Sequence, residues 1–221
     1  MTSVGINGLG RIGRLLTRRL FERHDARAAL RLTMCNEVAD AATVAHLLKY
    51  DSTHGRFSQP VMTDGDHLNI VDQAVLLTHE TAQSKVRWSD RDVNIVIDCT
   101  GVEFNRSSAA QHLGGSVSRV MLSQPASTDV DGTIIWGLND STLTPDMSVI
   151  SAGSCTSHAL MPVLSVIDEA FGIRAGIVTT IHSAMNDQPV IDAYHHTDLR
   201  KTRAAFNSVI PVETGLAQGV E

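Results

Sequence analysis

A glycine-rich turn near the amino terminus constrains the fold of this chain more than any other feature. Residues 8–13 read GLGRIG, a G-x-G-x-x-G pattern. A short apolar segment typical of a strand precedes it at residues 3–7, and residues 11–22 place apolar side chains at helical spacing. Strand, glycine turn and helix in this order predict the first unit of a dinucleotide-binding fold.

Each glycine of the pattern has a separate physical role. Gly8 allows the tight turn, Gly10 lets the backbone approach a pyrophosphate, and Gly13 permits close packing of helix on strand. The helix then presents free N–H groups and the positive end of its dipole to the phosphates. The alternative is a glycine turn in an unrelated α/β protein.

An acidic residue at the end of the second predicted strand supports the dinucleotide hypothesis. Glu37 follows the strand-like residues 30–36 and lies 24 residues beyond Gly13. This is near the offset of about 20 at which such proteins bind the adenosine ribose hydroxyls. A carboxylate there repels the additional phosphate of NADP, so the sequence predicts NAD as the cofactor.

Strand-like and helix-like segments alternate along the chain, as in a doubly wound fold. Residues 93–99 are almost entirely apolar, as a buried parallel strand requires. We therefore predict an α/β protein: a Rossmann-type doubly wound parallel sheet in an NAD-binding domain at residues 1–150, followed by the start of an incomplete α+β catalytic domain at 151–221. The later predicted elements are strands at 119–123, 133–137, 149–151 and 176–182, helices at 107–112 and 155–171, and a long irregular segment at 183–211.

Charge and hydropathy limit the possible partners. The net charge is −6 and no long basic run occurs, which argues against nucleic acid as the main partner. Four arginines, Arg11, Arg14, Arg18 and Arg19, have helical spacing and are predicted to form a solvated helix face. We find no signal peptide and no apolar run of about 20 residues, and therefore expect a cytoplasmic protein that acts on a small molecule without membrane contact.

Cys155 is the candidate nucleophile among three cysteines. It follows small residues and begins a predicted helix, whose dipole stabilises a thiolate. Cys35 and Cys99 lie in apolar strands, where a buried inert thiol is expected. The odd count and the lack of a CxxC pair argue against a disulfide framework or a zinc site, and no metal is predicted.

His182, at the end of the predicted strand 176–182, is the candidate base. A lone histidine is more often structural, but its combination with Cys155 and a dinucleotide fold suits covalent aldehyde oxidation. The thiolate would attack the aldehyde, hydride would pass to the nicotinamide, and His182 would take the proton and then assist water or phosphate. The Cys155 N–H and the His182 ring would stabilise the oxyanion.

A phosphate-bearing substrate requires cations and hydroxyl or backbone donors. Arg200, Lys201 and Arg203 supply cations in the long irregular segment, although a solvated loop or an interface explains them equally well. The predicted substrate-binding residues are Ser154, Thr156, Lys201, Thr214 and Gly215.

Several motifs together resemble one family along the whole chain. INGLGRIGR, HLLKYDSTHGRF, DCTG, SCTS, TTIHSAMNDQ, DLRKTRAA and SVIPVETG are similar to motifs of the glyceraldehyde-3-phosphate dehydrogenase superfamily. Within it, the chain most resembles the bacterial erythrose-4-phosphate dehydrogenases. The signals are Glu37, where the glyceraldehyde-3-phosphate enzymes usually carry aspartate, and the segment HSAMNDQPVIDAYHH.

The resemblance implies a homotetramer that oxidises D-erythrose 4-phosphate to 4-phosphoerythronate with NAD, for pyridoxal phosphate synthesis. It implies Cys155 as nucleophile, His182 as base and water as the chief acyl acceptor. The residues that it assigns to the cofactor are Gly10, Arg11, Ile12, Glu37 and, on the nicotinamide side, Thr100; Thr156 and Thr214 match phosphate-contacting positions.

The chain also departs from the family pattern. Ala152, His158 and Ala159 replace the usual Asn, Asn and Cys around the nucleophile, and His158 either tunes Cys155 or only fills the first helical turn. Lys201 stands where an arginine is common, which keeps the charge but loses the bidentate fork.

The family's catalytic domain extends further than Glu221. We therefore expect either a piece of a longer enzyme or a polypeptide of poor activity with exposed apolar surface. The alternatives are a phosphorylating glyceraldehyde-3-phosphate dehydrogenase and an inactive NAD-binding fragment.

Overall fold

The computed structural model describes residues 1–102, 105–186 and 188–214. The chain divides into two compact units, Met1–Ser154 and Cys155–Glu221. We describe each unit by itself.

The first unit is an α/β structure. Its strands are β1 (Thr2–Asn7), β2 (Leu30–Asn36), β3 (Tyr50–Asp51), β4 (Gly55–Arg56), β5 (Val61–Asp64), β6 (His67–Ile70), β7 (Gln73–Thr78), β8 (Ile95–Asp98), β9 (Arg119–Leu122), β10 (Gly132–Thr133) and β11 (Val149–Ser151). Its α-helices are α1 (Arg11–Glu22), α2 (His24–Ala29), α3 (Ala41–Lys49) and α4 (Arg106–Ala109), with short 3-10 helices at Gln83–Lys85, Trp88–Arg91, Ala110–His112 and Asp140–Thr142.

Nine of these strands form one sheet in the order β10-β11-β9-β8-β1-β2-β7-β6-β5. The strands from β10 to β7 pair in parallel, and β6 and β5 extend the edge antiparallel. Strand order reverses beside β1, between β2 and β8, which is where doubly wound sheets bind ligands at the carboxyl ends of their strands. The predicted Rossmann-type fold is therefore confirmed.

The sheet is buried between two apolar clusters. One cluster surrounds Ile6, Leu48 and Leu68, and the other surrounds Trp88 and Val96. Alternate side chains of a strand point to opposite faces, so the apolar runs of β2 and β8 contribute to both clusters, whereas β1 contributes Ile6 to the first. This rigid sheet fixes the strand ends on which the candidate cofactor site is built.

The predicted arginine face of α1 is only partly correct. Arg18 is buried, at 4% exposure. Its guanidinium donates to the Leu48 and Gly55 carbonyls at 2.8 and 3.0 Å and lies over the Phe57 ring. Carbonyl acceptors and an aromatic face compensate for lost hydration, which a helical pattern alone does not reveal.

The second unit begins with α5 (Cys155–Phe171), which has the predicted bounds, and contains a 3-10 helix at Leu199–Thr202. The prediction of a strand at 176–182 is wrong, because the segment is irregular and exposed. A strand needs a hydrogen-bonded neighbour, and the described residues of this unit include no other strand to pair with it. Ile177 and Ile181 are 98% and 91% exposed.

Candidate functional site

The glycine turn has the geometry that a dinucleotide requires. Gly8 has a φ of +86°, which favours glycine, and its N–H donates to the Asn36 carbonyl at 2.8 Å. A Cβ on Gly13 would lie 2.0 Å from the Gly8 carbonyl oxygen, whereas a Cβ on Gly10 would meet nothing within 4 Å. Two glycines therefore permit the turn, and the third leaves open space where a pyrophosphate would approach.

The first turn of α1 provides donors beside this open space. Gly10 is the N-cap, and within the described structure no side chain caps the helix and its first turn holds no acidic residue. Arg11 and Ile12 occupy this turn and are exposed. Uncapped N–H groups and the helix dipole suit an anion, so these residues fit the cofactor phosphates.

Glu37 lies against the glycine turn. Its Oε2 accepts the Leu9 N–H at 2.7 Å, and its Oε1 accepts the Ala39 N–H at 3.3 Å. Glu37 is half-buried and directly follows the carboxyl end of β2. The contact places one negative charge next to the turn, as the prediction for ribose binding requires.

Thr100 follows β8 at the same edge of the sheet. Thr100 is exposed, and its hydroxyl donates to Asp98 Oδ1 at 2.7 Å. Sequence reasoning did not assign a role to Asp98, although a carboxylate at the end of an apolar strand, within DCTG, is an available signal. Asn7 and Asp98 are paired across β1 and β8, at the reversal of strand order.

In the second unit, the structure brings Cys155 and His182 together. The Cys155 Sγ and His182 Nε2 are 3.3 Å apart, within the distance of a sulfur hydrogen bond, and both residues are exposed. Cys155 is the first residue of α5, so it lies at the end of the helix whose backbone N–H groups have no partner within the helix. This proximity does not depend on the predicted strand, which is absent.

The other ring nitrogen of His182 fixes the tautomer. His182 Nδ1 lies 2.7 Å from the Ser183 carbonyl oxygen, which only accepts hydrogen bonds. Nδ1 therefore carries the proton in the neutral ring, and Nε2 directs its lone pair at the thiol. A base oriented in this way can remove the thiol proton.

The predicted substrate residues are spread over the second unit and its start. Ser154 and Thr156 flank the nucleophile and are half-buried, Lys201 lies on the 3-10 helix Leu199–Thr202, and Thr214 is exposed. Gly215 lies outside the described residues. His158 is exposed on the first turn of α5.

Two neighbouring arginines have local acidic partners. The Arg200 guanidinium contacts Asp198 at 2.9 Å, and Arg203 contacts Asp192 at 2.6 Å. Hydrogen bonding from Arg200 lowers the pKa of Asp198. These pairs offset much of the positive charge that the sequence suggested for binding phosphate.

The described residues also bear on membrane-spanning and metal-binding classes of protein. Over residues 1–102, 105–186 and 188–214, no helix has both the length and the hydropathy to cross a bilayer. In the same part of the chain, no group of three His, Cys, Asp or Glu residues is arranged to hold a metal ion.

The first unit thus has the fold and turn of a dinucleotide-binding domain, and the second pairs a thiol with an imidazole, as covalent oxidoreductases do. Comparison with known families agrees: residues 2–106 match the NAD binding domain of glyceraldehyde 3-phosphate dehydrogenase, and residues 154–221 match its C-terminal domain. The chain belongs to the glyceraldehyde-3-phosphate dehydrogenase superfamily. It is an NAD-dependent oxidoreductase that acts on aldehydes, and NAD is its cofactor.

Proposed function

We propose that this protein oxidises D-erythrose 4-phosphate to 4-phosphoerythronate with NAD, through a thioester on Cys155. The observation that carries the proposed chemistry is the 3.3 Å distance between Cys155 Sγ and His182 Nε2. The substrate is suggested by Glu37 and by the segment HSAMNDQPVIDAYHH. The proposal divides the work between a cofactor domain at residues 1–150 and a catalytic domain beginning at 151.

The proposed reaction begins with proton transfer. His182 Nε2 takes the thiol proton, and the Cys155 sulfur attacks the aldehyde carbon to form a thiohemiacetal. The Cys155 N–H at the start of α5 and the protonated imidazole then stabilise the alkoxide. NAD, when bound, accepts the hydride that the aldehyde carbon loses.

Release of the acyl group uses the same two residues. His182 first releases the thiol proton to solvent, and its Nε2 then accepts a proton from the water that attacks the thioester on Cys155. The carbonyl–sulfur bond breaks, the acid is released, and the Cys155 sulfur takes back a proton from His182. We assign the substrate phosphate to Ser154, Thr156, Lys201, Thr214 and Gly215.

In the cofactor domain, we assign the pyrophosphate to Gly8, Gly10, Arg11, Ile12 and Gly13. Glu37 would bind the adenosine ribose, and Thr100 would lie on the nicotinamide side. The open space at Gly10 and the uncapped start of α1 support these assignments. We further propose a cytoplasmic homotetramer that supplies pyridoxal phosphate synthesis.

The second candidate is a phosphorylating glyceraldehyde-3-phosphate dehydrogenase, since both matching domains are described as domains of glyceraldehyde 3-phosphate dehydrogenase. The deciding experiment measures NADH formation by the full chain from D-erythrose 4-phosphate and from glyceraldehyde 3-phosphate, each with and without phosphate. Faster turnover of the four-carbon substrate without phosphate supports the proposal. Phosphate-dependent turnover of the three-carbon substrate supports the second candidate.

Cys155→Ala is the control in both assays and should abolish NADH formation. If the unaltered chain binds NAD but oxidises neither aldehyde, the proposed reaction is wrong and the chain is an inactive NAD-binding fragment.

A further inference from the structure

Buried hydrogen bonds converge on Asp98 at the reversal of strand order in the first unit. The Asp98 side chain is fully buried. Its Oδ2 accepts from Asn7 Nδ2 at 2.6 Å and faces His112 Nε2 at 3.3 Å. Its Oδ1 accepts from the Thr100 N–H at 3.0 Å and from the Thr100 hydroxyl at 2.7 Å. A buried carboxylate is costly unless donors surround it, and here each oxygen faces two.

Trp88 determines which nitrogen of His112 carries the proton. The Trp88 indole N–H, which can only donate, lies 3.1 Å from His112 Nδ1. Nδ1 must therefore present its lone pair to Trp88, and the proton of the neutral ring lies on Nε2, facing Asp98. A second proton on His112 would set two N–H groups against each other.

Asp98 is consequently an acceptor without a proton of its own. Burial by itself raises the pKa of Asp98, but hydrogen bonds from His112, Thr100 and Asn7 outweigh burial and hold that pKa below its ordinary value. The carboxylate form is therefore the one that meets Thr100 at neutral pH.

This arrangement fixes the direction in which the Thr100 hydroxyl donates its proton. A threonine hydroxyl has one proton and two lone pairs, and the proton of Thr100 is directed at Asp98 Oδ1. Thr100 is exposed, so its oxygen offers only lone pairs outward. Thr100 also adjoins the cofactor turn, since a Cβ on Gly8 would lie 3.0 Å from the Thr100 Cα.

We infer that Asp98 is a positioning residue that holds the Thr100 hydroxyl as a hydrogen-bond acceptor for the bound dinucleotide, in a proton arrangement set by Trp88 and His112. The inference rests on the proposed cofactor site. The group that Thr100 recognises is a hydrogen-bond donor of the nicotinamide half: a ribose hydroxyl or the carboxamide N–H.

The first test measures ligand affinity of the full chain by titration calorimetry. The ligands are NAD, ADP-ribose, which lacks nicotinamide, and nicotinic acid adenine dinucleotide, which lacks the amide N–H. Thr100→Val should weaken NAD binding about three- to tenfold, the value of one hydrogen bond, and Thr100→Ser should restore it. Thr63→Val, on the exposed part of β5, is the matched control and should change nothing.

The three ligands identify the donor. A Thr100→Val loss shared by all three indicates the ribose hydroxyl, and a loss with NAD alone indicates the carboxamide. If unaltered protein binds NAD and Thr100→Val binds it equally well, the inference is wrong while the proposed function stands. If unaltered protein binds none of the ligands, the proposed cofactor site itself fails.

A double-mutant cycle tests the role of Asp98. Asp98→Asn places an amide N–H₂ beside existing hydrogen-bond donors and so disturbs the direction in which the Thr100 hydroxyl proton points. It should therefore weaken NAD binding when Thr100 is unaltered. In the Thr100→Val background it should cost no further affinity. An equal loss in both backgrounds would show a merely structural role for Asp98.

Nitrogen NMR of His112 in unaltered protein gives a measurement that does not require the Asp98 variant to fold. The expected signature is a neutral ring with the proton on Nε2 at neutral pH. A ring protonated on Nδ1 would overturn the inferred proton arrangement.

Discussion

At the residue scale, the three thiols differ in their surroundings. Cys155 is exposed, whereas Cys35 and Cys99 are buried. Burial raises the pKa of Cys99 to about 12 and raises that of Cys35 strongly. Both buried thiols therefore stay protonated and unreactive through neutral and mildly alkaline pH. We expect iodoacetamide to label Cys155 alone between roughly pH 7 and pH 9, a range well below the pKa values of the two buried thiols. Peptide mass spectrometry measures the labelling of each cysteine.

Label on Cys35 or Cys99 in folded protein would contradict this assignment of thiols. The matched variant is Cys155→Ser, which should take up no label until the protein is unfolded in denaturant. In denaturant both buried thiols become accessible and return to ordinary reactivity.

His182 allows a second prediction at this scale. His182→Asn keeps a polar side chain but removes the basic ring nitrogen Nε2, which lies 3.3 Å from Cys155 Sγ. Loss of a general base typically costs about 10²- to 10⁴-fold in rate, and we expect a decrease of that size in kcat for the aldehyde. NAD affinity should be unchanged. The control is His158→Asn, at an exposed position of α5. A kcat within twofold (about 0.4 kcal/mol) of unaltered protein would contradict a catalytic role.

The charge of Glu37 carries a third prediction. Glu37→Gln retains an oxygen that can accept the Leu9 N–H, now held at 2.7 Å, but removes the negative charge beside the turn. Repulsion of the extra phosphate should fall, so the ratio of NAD to NADP affinity should decrease about tenfold or more. Titration with both dinucleotides measures this ratio, and Glu22→Gln at the end of α1 should leave it unchanged.

At the scale of the element, the glycine turn and α1 offer two substitutions of the same size with different consequences. Gly13→Ala places a Cβ 2.0 Å from the Gly8 carbonyl, so the helix and turn must separate. We expect a loss of about 1–3 kcal/mol in the free energy of unfolding, as for other overpacked sites, together with loss of NAD binding. Urea unfolding and titration calorimetry measure the two effects.

Gly10→Ala is the matched variant. Its Cβ meets nothing within 4 Å, so the free energy of unfolding should change by less than about 1 kcal/mol. NAD binding should nevertheless weaken, because the methyl group occupies the space that we assign to the pyrophosphate. Equal stability losses in the two variants would contradict the assigned packing.

The elements also explain which sequence predictions succeed. Helices α1 and α5 have the predicted bounds because their patterns and end residues are local. The segment 176–182 has strand-like composition but no described neighbour, and pairing is not a local property. The hydrogen bond between Asn7 and Asp98 joins residues 91 positions apart, so its geometry could not be predicted from either segment.

The same reasoning applies to the candidate site. The glycine pattern, Glu37 and Cys155 could be identified because their chemistry follows from residue type and position on an element. The tautomer of His182 depends on the Ser183 carbonyl at 2.7 Å, and that of His112 depends on Trp88. Such proton arrangements depend on contacts in three dimensions, which residue type and spacing do not specify.

At the scale of the whole molecule, burial is distributed unequally between the two units. Both apolar clusters lie within Met1–Ser154. Among the described residues from 155 onward, no large apolar side chain is buried, and Val166, Phe171 and Ile177 are exposed. Apolar burial is the main source of folding free energy, so the first unit should unfold separately from the second and at higher denaturant concentration.

We therefore expect residues 1–154, produced alone, to fold and to bind ADP-ribose with an affinity within about threefold of the full chain, a difference of roughly 0.6 kcal/mol. All the residues that we assign to the cofactor lie in this unit, and so do all nine strands of the described sheet. Hydrogen exchange should show strong protection in β1, β2 and β8 and rapid exchange over residues 172–186 and 188–198, whose backbone forms few hydrogen bonds in the described structure. An unfolded fragment, or slow exchange in residues 172–186 and 188–198 of the full chain, would show that the two units depend on each other for stability.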